Sequence, residues 1–294
     1  MMNLIVDSRC ELGECILWCE RTARLLWTDI EGERLWAHTP GTGQTQSWSL
    51  PERLACFALT RDDDCLLLGL ASRLALFRFS SRKITTICDV EPGLLNTRIN
   101  DGRCDRQGCF VFGTYNQNHD HAPVGALYRL NRDLRLEALP LPKVGIANSI
   151  CFSPDGGTMY WCDSPEKIIH CCDYGVDGGI ANPRVFADLR QEVGAPDGST
   201  VDAEGYLWNA RWGGSRLVRH APDGSIDCVL SLPVTQPSCL TFGGPDLSTV
   251  YASTAWEHMG EAERAPQPLA GGVFGLASGA IKGLPEQRFL GDFL

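Results

Sequence analysis

The sequence predicts an all-β protein: a six-bladed β-propeller with four-stranded blades around a central channel, formed as a single domain over residues 1–294. Three observations carry this. Short apolar runs alternate with Gly- and Asp-rich turns, as in SICFSPDGGTMYWCDS (149–164). Six such hairpins recur along the chain at the period of a propeller blade. No long apolar stripe of helical period competes with them.

The hairpins run in order. The first is ECILWCERTARLLWTDI (14–30), the second CFALTRDDDCLLLGLA (56–71), the third GRCDRQGCFVFGTY (102–115) and the fourth the stretch quoted above. The fifth lies in GAPDGSTVDAEGYLWNARWGG (194–214), where Asp202-Ala203-Glu204-Gly205 forms the turn between strands at 199–201 and 206–210. On this reading Asp197, in Pro-Asp-Gly, falls before the first strand of that hairpin, at its mouth. The sixth is SCLTFGGPDLSTVYASTA (238–255). A third strand follows each hairpin: ERLWAHT, SRLALFRF, GALYRLN, KIIHCCDY, SRLVRHA and GGVFGLA. TQSWSL, KITTICDV, RVFADLR and CVLSLP supply fourth strands, and the leading MNLIVD closes the last blade. Asp155 and Asp223, at Pro-Asp-Gly turns, read as structural.

Composition narrows the partners. With 26 Lys and Arg against 36 Asp and Glu, the formal charge is −10, which argues against a nucleic-acid partner. No apolar run approaches the roughly 20 residues of a membrane span, so no membrane partner is expected. The start, MMNLIVDSRCELGEC, has neither the basic head nor the apolar stretch of a secretory signal, and a cytoplasmic monomer is the default expectation. Fourteen cysteines contain no C-x-x-C pair, and several replace apolar residues inside strands. They read as reduced, buried, small hydrophobes.

Aligned on their turns, the six hairpins bring Glu14, Cys56, Asn100, Asn148, Asp197 and Ser238 into register, with separations of 42, 44, 48, 49 and 41 residues. In a propeller these positions converge on the axis at one end. Carboxylates gathered there require a cation or solvent. Glu14, Asn148 and Asp197 offer three oxygen ligands and two negative charges, a set suited to a hard divalent ion such as Ca²⁺, Mg²⁺ or Mn²⁺. A channel-plugging structural cation and a water-filled pore are compatible with the same ring.

LGECILW (12–18), RINDGR (98–103), ANSICFSPDG (147–156), APDGSTVDAEGYLW (195–208), LTFGGPDLSTVY (240–251) and AGGVF (270–274) occur in order over almost the full length. Together they resemble the SMP-30/gluconolactonase/regucalcin family, most closely its bacterial sugar-lactonase branch. The resemblance implies a six-bladed propeller, aldonolactone hydrolysis, and one divalent cation in the channel (Ca²⁺, Zn²⁺, Mg²⁺, Mn²⁺ or Fe²⁺). It places the metal ligands on Glu14, Asn148 and Asp197, and makes Asp197 the proton acceptor and donor. Substrate contacts fall on Arg98 and Asn100, with a third on or near Asn118. There the chain departs from relatives that carry a carboxylate, reading Tyr115-Asn116-Gln117-Asn118. An amide can donate to sugar oxygens where a carboxylate only accepts.

The expected substrate is therefore a small sugar lactone of the galactono-, glucono-, arabinono- or xylonolactone type. Rival readings are hydrolysis of another ester (a phosphotriester or non-sugar lactone) and a non-enzymatic calcium-binding role. His119-Asp120-His121 reads as a solvated loop rather than a ligand cluster, and Trp212-Gly213-Gly214 as a turn. The chain has neither the G-x-S-x-G elbow of a serine hydrolase nor a phosphate-binding G-x-x-x-x-G-K-[ST] loop.

Overall fold

The computed structural model describes residues 2–293. Its strands form six four-stranded antiparallel sheets, as the repeat predicts. They fall into two compact units.

One unit holds the first, fifth and sixth sheets. The first sheet comprises Gly13–Cys19, Arg24–Asp29, Arg34–Thr39 and Gln44–Ser49. The fifth comprises Ala195–Val201, Leu207–Trp212, Arg216–His220 and Ile226–Ser231. In the sixth, Pro237–Gly243, Thr249–Thr254 and Val273–Ala277 are joined by Asn3–Val6 from the start of the chain, the closing strand expected of MNLIVD. Trp208, Leu217, Leu240, Phe242 and Phe274 form one apolar cluster between the fifth and sixth sheets. Ile16, Trp18, Trp27, Cys239 and Tyr251 form another between the first and sixth.

The other unit holds the second, third and fourth sheets, together with residues 287–293. These sheets comprise Leu54–Leu59, Cys65–Leu70, Arg73–Arg78 and Ile84–Asp89; Thr97–Cys104, Phe110–Asn116, Leu127–Leu130 and Leu136–Ala138; and Ala147–Phe152, Thr158–Asp163, Ile168–Tyr174 and Ile180–Asp188. Val111, Leu127, Ala147, Ile150, Phe152 and Trp161 pack the third sheet against the fourth.

Each sheet grades from an interior strand to a solvent edge. Leu54–Leu59 is buried along its whole length, whereas Ile84–Asp89 of the same sheet has no buried residue. The first strands are mostly buried even where they carry polar residues, as in TRINDGRC and APDGSTV, so those residues have little solvent to meet. None of the cysteines is disulfide-bonded and all but Cys88 and Cys228 are buried, in keeping with their reading as small hydrophobes.

The acidic turns separate by role. Asp155 accepts from Gly157 N and Ser153 Oγ, and Asp223 from Ser225 N and Oγ, so both only shape their turns. Asp202 is fully buried and accepts from the amides of Glu204 and Tyr206, Trp208 Nε1 and Arg219 Nε. The reading of Asp197 needs correction. It does not precede its strand but lies inside Ala195–Val201.

Candidate active site

Every first strand loses register with its neighbour at the same place. The shifts fall between Glu14 and Leu17, Leu54 and Cys56, Ile99 and Gly102, Asn148 and Cys151, Pro196 and Ser199, and Pro237 and Cys239. All six residues aligned from the sequence, Glu14, Cys56, Asn100, Asn148, Asp197 and Ser238, lie at or inside these irregularities. A bulge frees a residue from the ladder and re-aims its side chain, which is how a strand buried on both faces can present a polar group. Cys15 (φ 46°) and Ser149 (φ 60°), directly after Glu14 and Asn148, adopt the left-handed region that β-bonding residues avoid.

In the first unit, Glu14 is half-buried and its Oε2 accepts from Cys15 N at 2.9 Å. Asp197 is only 6% exposed. Its strand is held by Asn209, a fully buried residue of the neighbouring strand, whose Nδ2 donates to Asp197 O at 3.0 Å and to Ser199 Oγ at 2.9 Å. Gly198 permits close packing at this point: a Cβ there would lie 2.9 Å from Cys239 Cα. Two residues along from Asn209, buried Arg211 donates through Nη2 to His220 Nε2 at 2.8 Å. His220 Nδ1 must then carry the proton and donate to Gly224 O at 2.9 Å. Burial, helped by the nearby Arg211 charge, pushes the imidazole down to about 4, so it is neutral at pH 7; the Gly224 carbonyl and, more weakly, Glu192 oppose that shift.

The second unit joins three of the predicted residues directly. Arg98 Nη1 donates to Asn100 Oδ1 at 2.6 Å, and Asn100 Nδ2 donates to Asn148 Oδ1 at 3.1 Å and to Ala147 O at 2.9 Å. Asn148 is 6% exposed, and its Nδ2 donates to Ser164 Oγ at 2.9 Å. Buried Arg98 sets its guanidinium carbon 4.6 Å from the centre of the Tyr115 ring, a cation–π contact. His121 lies 5.5 Å from Tyr115, ring to ring, with Nδ1 bonded to Asn116 O at 3.1 Å. His119 is exposed, and the pair does not form a ligand cluster.

Asn118 stands apart from this run of bonds. It is exposed on the loop after Phe110–Asn116, and its Oδ1 accepts from Asn96 Nδ2 at 2.8 Å. Trp212 ends its strand at the expected turn, where Gly213 has φ 73° and Gly214 N donates to Arg211 O.

Sequence reasoning missed Asn209, Tyr115, the Arg211–His220 pair and Asp101. Asp101 lies beside Asn100 in the same irregularity; its Oδ2 accepts from Ile150 N and its Oδ1 from Gly102 N, each at 2.8 Å. Burial raises its carboxyl above the usual range, against the opposing effects of the Ile150 amide, the Arg103 charge and the Gly102 amide. The one available signal was a second polar residue beside Asn100 in RINDGR, which reads locally as turn chemistry.

Glu14 and Asp197 in the first unit and Asn148 in the second, each at a bulge in its first strand, are oxygen donors of the types that suit a hard divalent cation. Among the described residues no group of three or more His, Cys, Asp or Glu could hold a metal.

The profile of the SMP-30/gluconolactonase/LRE-like region matches residues 12–256. The chain is 48% identical to an L-arabinolactonase of Azospirillum brasilense over 98% of its own length and 95% of that protein's. It is 31% identical to a 6-deoxy-6-sulfogluconolactonase of Pseudomonas putida over 99% of each chain. The crystal structure of a calcium-binding protein, regucalcin, from Agrobacterium tumefaciens superposes with a TM-score of 0.92 at 28% identity, over 98% of this chain and 97% of that one. The fold is an all-β six-bladed β-propeller, as its repeat predicts.

Proposed function

Because the chain belongs to the SMP-30/gluconolactonase/LRE-like family, we propose that it is a metal-dependent sugar lactonase, a carboxylic-ester hydrolase converting an aldonolactone to its aldonic acid. The observation that carries the reading is the hydrogen-bonded run Arg98–Asn100–Asn148, which ties a multi-donor cation to a candidate oxygen ligand. Such a run suits a polyhydroxylated ester better than an apolar one. Identity of 48% to an L-arabinolactonase favours an arabinonolactone-type substrate among the candidates.

In this proposal the chain acts as one domain, and Glu14, Asn148 and Asp197 hold a single divalent cation. When bound, that cation supplies positive charge at the lactone carbonyl oxygen and acidifies water. Arg98 donates to substrate hydroxyls, and the Tyr115 ring keeps its guanidinium in place. Asn100 presents its amide between Arg98 and Asn148, so one hydrogen-bonded run positions both sugar and ligand. Asn118 extends the substrate contacts at the exposed rim. Asp197 removes the proton from the attacking water and returns it to the departing ring oxygen. As a ligand it is a weakened base, and it acts through a second water.

Asn209 Nδ2 bonds the backbone carbonyl of Asp197, a contact that an alanine at this position retains. Asp197→Ala is thus expected to remain folded by circular dichroism and to lose lactone turnover by about 10³-fold or more. Substantial residual turnover in the folded variant would remove the proton-transfer assignment.

A further inference from the structure

We propose that Asp101 is a positioning residue for the cation ligand Asn148, gripping its bulge from the neighbouring sheet; this rests on the metal-site reading above. The irregularity in Thr97–Cys104 places Asn100 and Asp101 together between Ile99 and Gly102. Both side chains cross to the same short stretch of Ala147–Phe152. Asn100 bonds Ala147 O and Asn148 Oδ1, and Asp101 bonds Ile150 N. Ser149, inside the gripped stretch, is held at φ 60°, a conformation that surrounding contacts must over-determine. Asp101 supplies such a contact, one residue beyond the strained position and two beyond the ligand.

The residue type follows from counting donors. The two carboxylate oxygens of Asp101 face two backbone N–H groups, those of Ile150 and Gly102, both at 2.8 Å. An aspartate accepts both. An asparagine of the same size offers one acceptor and turns an NH₂ group toward the second N–H, so one bond is lost. Gly102 is itself required here, since a Cβ would lie 2.7 Å from Phe112 Cβ, so the loop cannot readily shift to compensate. The carboxylate therefore anchors to its own bulge through one oxygen and holds the ligand-bearing bulge through the other. Groups that orient metal ligands typically change metal affinity by about 10–100-fold when replaced.

The test is Mn²⁺ binding to chelator-stripped wild-type, Asp101→Asn and Tyr174→Phe proteins, with free Mn²⁺ followed by electron paramagnetic resonance. Tyr174→Phe is the stability control: it loses the Tyr174–Asp105 bond of 2.9 Å, also between the third and fourth sheets but away from the bulges. Asp101→Asn is expected to weaken Mn²⁺ binding at least tenfold, with Tyr174→Phe lowering only the melting temperature. Hydrogen exchange in wild-type segment 147–152 should slow when Mn²⁺ is added, a readout that needs no variant to fold. Wild-type-like Mn²⁺ affinity in Asp101→Asn overturns the positioning role alone, whereas unchanged exchange in that segment while Mn²⁺ binds overturns Asn148 as a ligand and the role with it. A wild-type protein that binds no Mn²⁺ overturns the metal-site reading and this role with it.

Discussion

Arg98 Nη1 lies 2.6 Å from Asn100 Oδ1, and the carbon of the same guanidinium sits 4.6 Å from the centre of the Tyr115 ring. The cation is thus fixed by a planar face and a directional bond at once. A lysine retains the charge but not the planar fork of donors. Arg98→Lys is expected to raise KM for a sugar lactone roughly tenfold, in line with losing one or two charge-assisted hydrogen bonds. The KM for an unsubstituted lactone of equal ring size should change far less. Equal losses on both substrates would show that Arg98 does not read hydroxyls.

Gly198 follows Asp197 in the irregular segment and sits against the Cys239 backbone of the next sheet in its unit. The neighbour at 2.9 Å is a Cα and not the tip of a flexible side chain, so an added methyl forces the two first strands apart. Gly198→Ala is expected to cost about 1–3 kcal/mol of stability. It should also reduce turnover, because the carboxylate of Asp197 moves with its backbone. Thermal melts and activity on one preparation check both; an unaffected melting temperature counts against the packing argument.

The Arg211–His220 pair predicts a pH signature. His220 is buried, its imidazole lies at about 4 instead of 6.5, and Arg211 and Glu192 are the charged groups acting on it. The unfolded state therefore binds more protons than the folded state between these values. The contribution is fully present above pH 6.5 and is lost as pH falls toward 4, on the order of 3 kcal/mol in total. Urea midpoints at pH 7 and pH 5 should differ in the wild type and differ less in His220→Asn. Equal pH dependence in both proteins would assign the acid sensitivity to other groups.

The sheets were legible because each is punctuated locally: Asp-Gly turns, aromatic-rich second strands and an even period identify hairpins without tertiary knowledge. The six aligned positions were legible for the same reason, since counting back from each turn reaches the bulge in every sheet. The bulges themselves were not. Pro-Asp-Gly at 196–198 carries ordinary turn chemistry, and only the pairing of Pro196 with Arg211 and of Ser199 with Asn209 shows it inside a strand. Asn209 and Asp101 were missed because their partners lie on other strands or sheets, at separations no local pattern encodes. The contact of Arg98 with the Tyr115 ring joins neighbouring strands and is not encoded by any local pattern.

The most direct test of the central claim is acid release from a panel of arabinono-, xylono-, galactono- and gluconolactones. Chelator-stripped protein would be used, with each divalent cation restored in turn. The account predicts turnover well above spontaneous hydrolysis that depends on the added cation and is fastest with an arabinonolactone-type substrate. No acceleration with any pairing of cation and lactone would contradict it and would favour a non-enzymatic role.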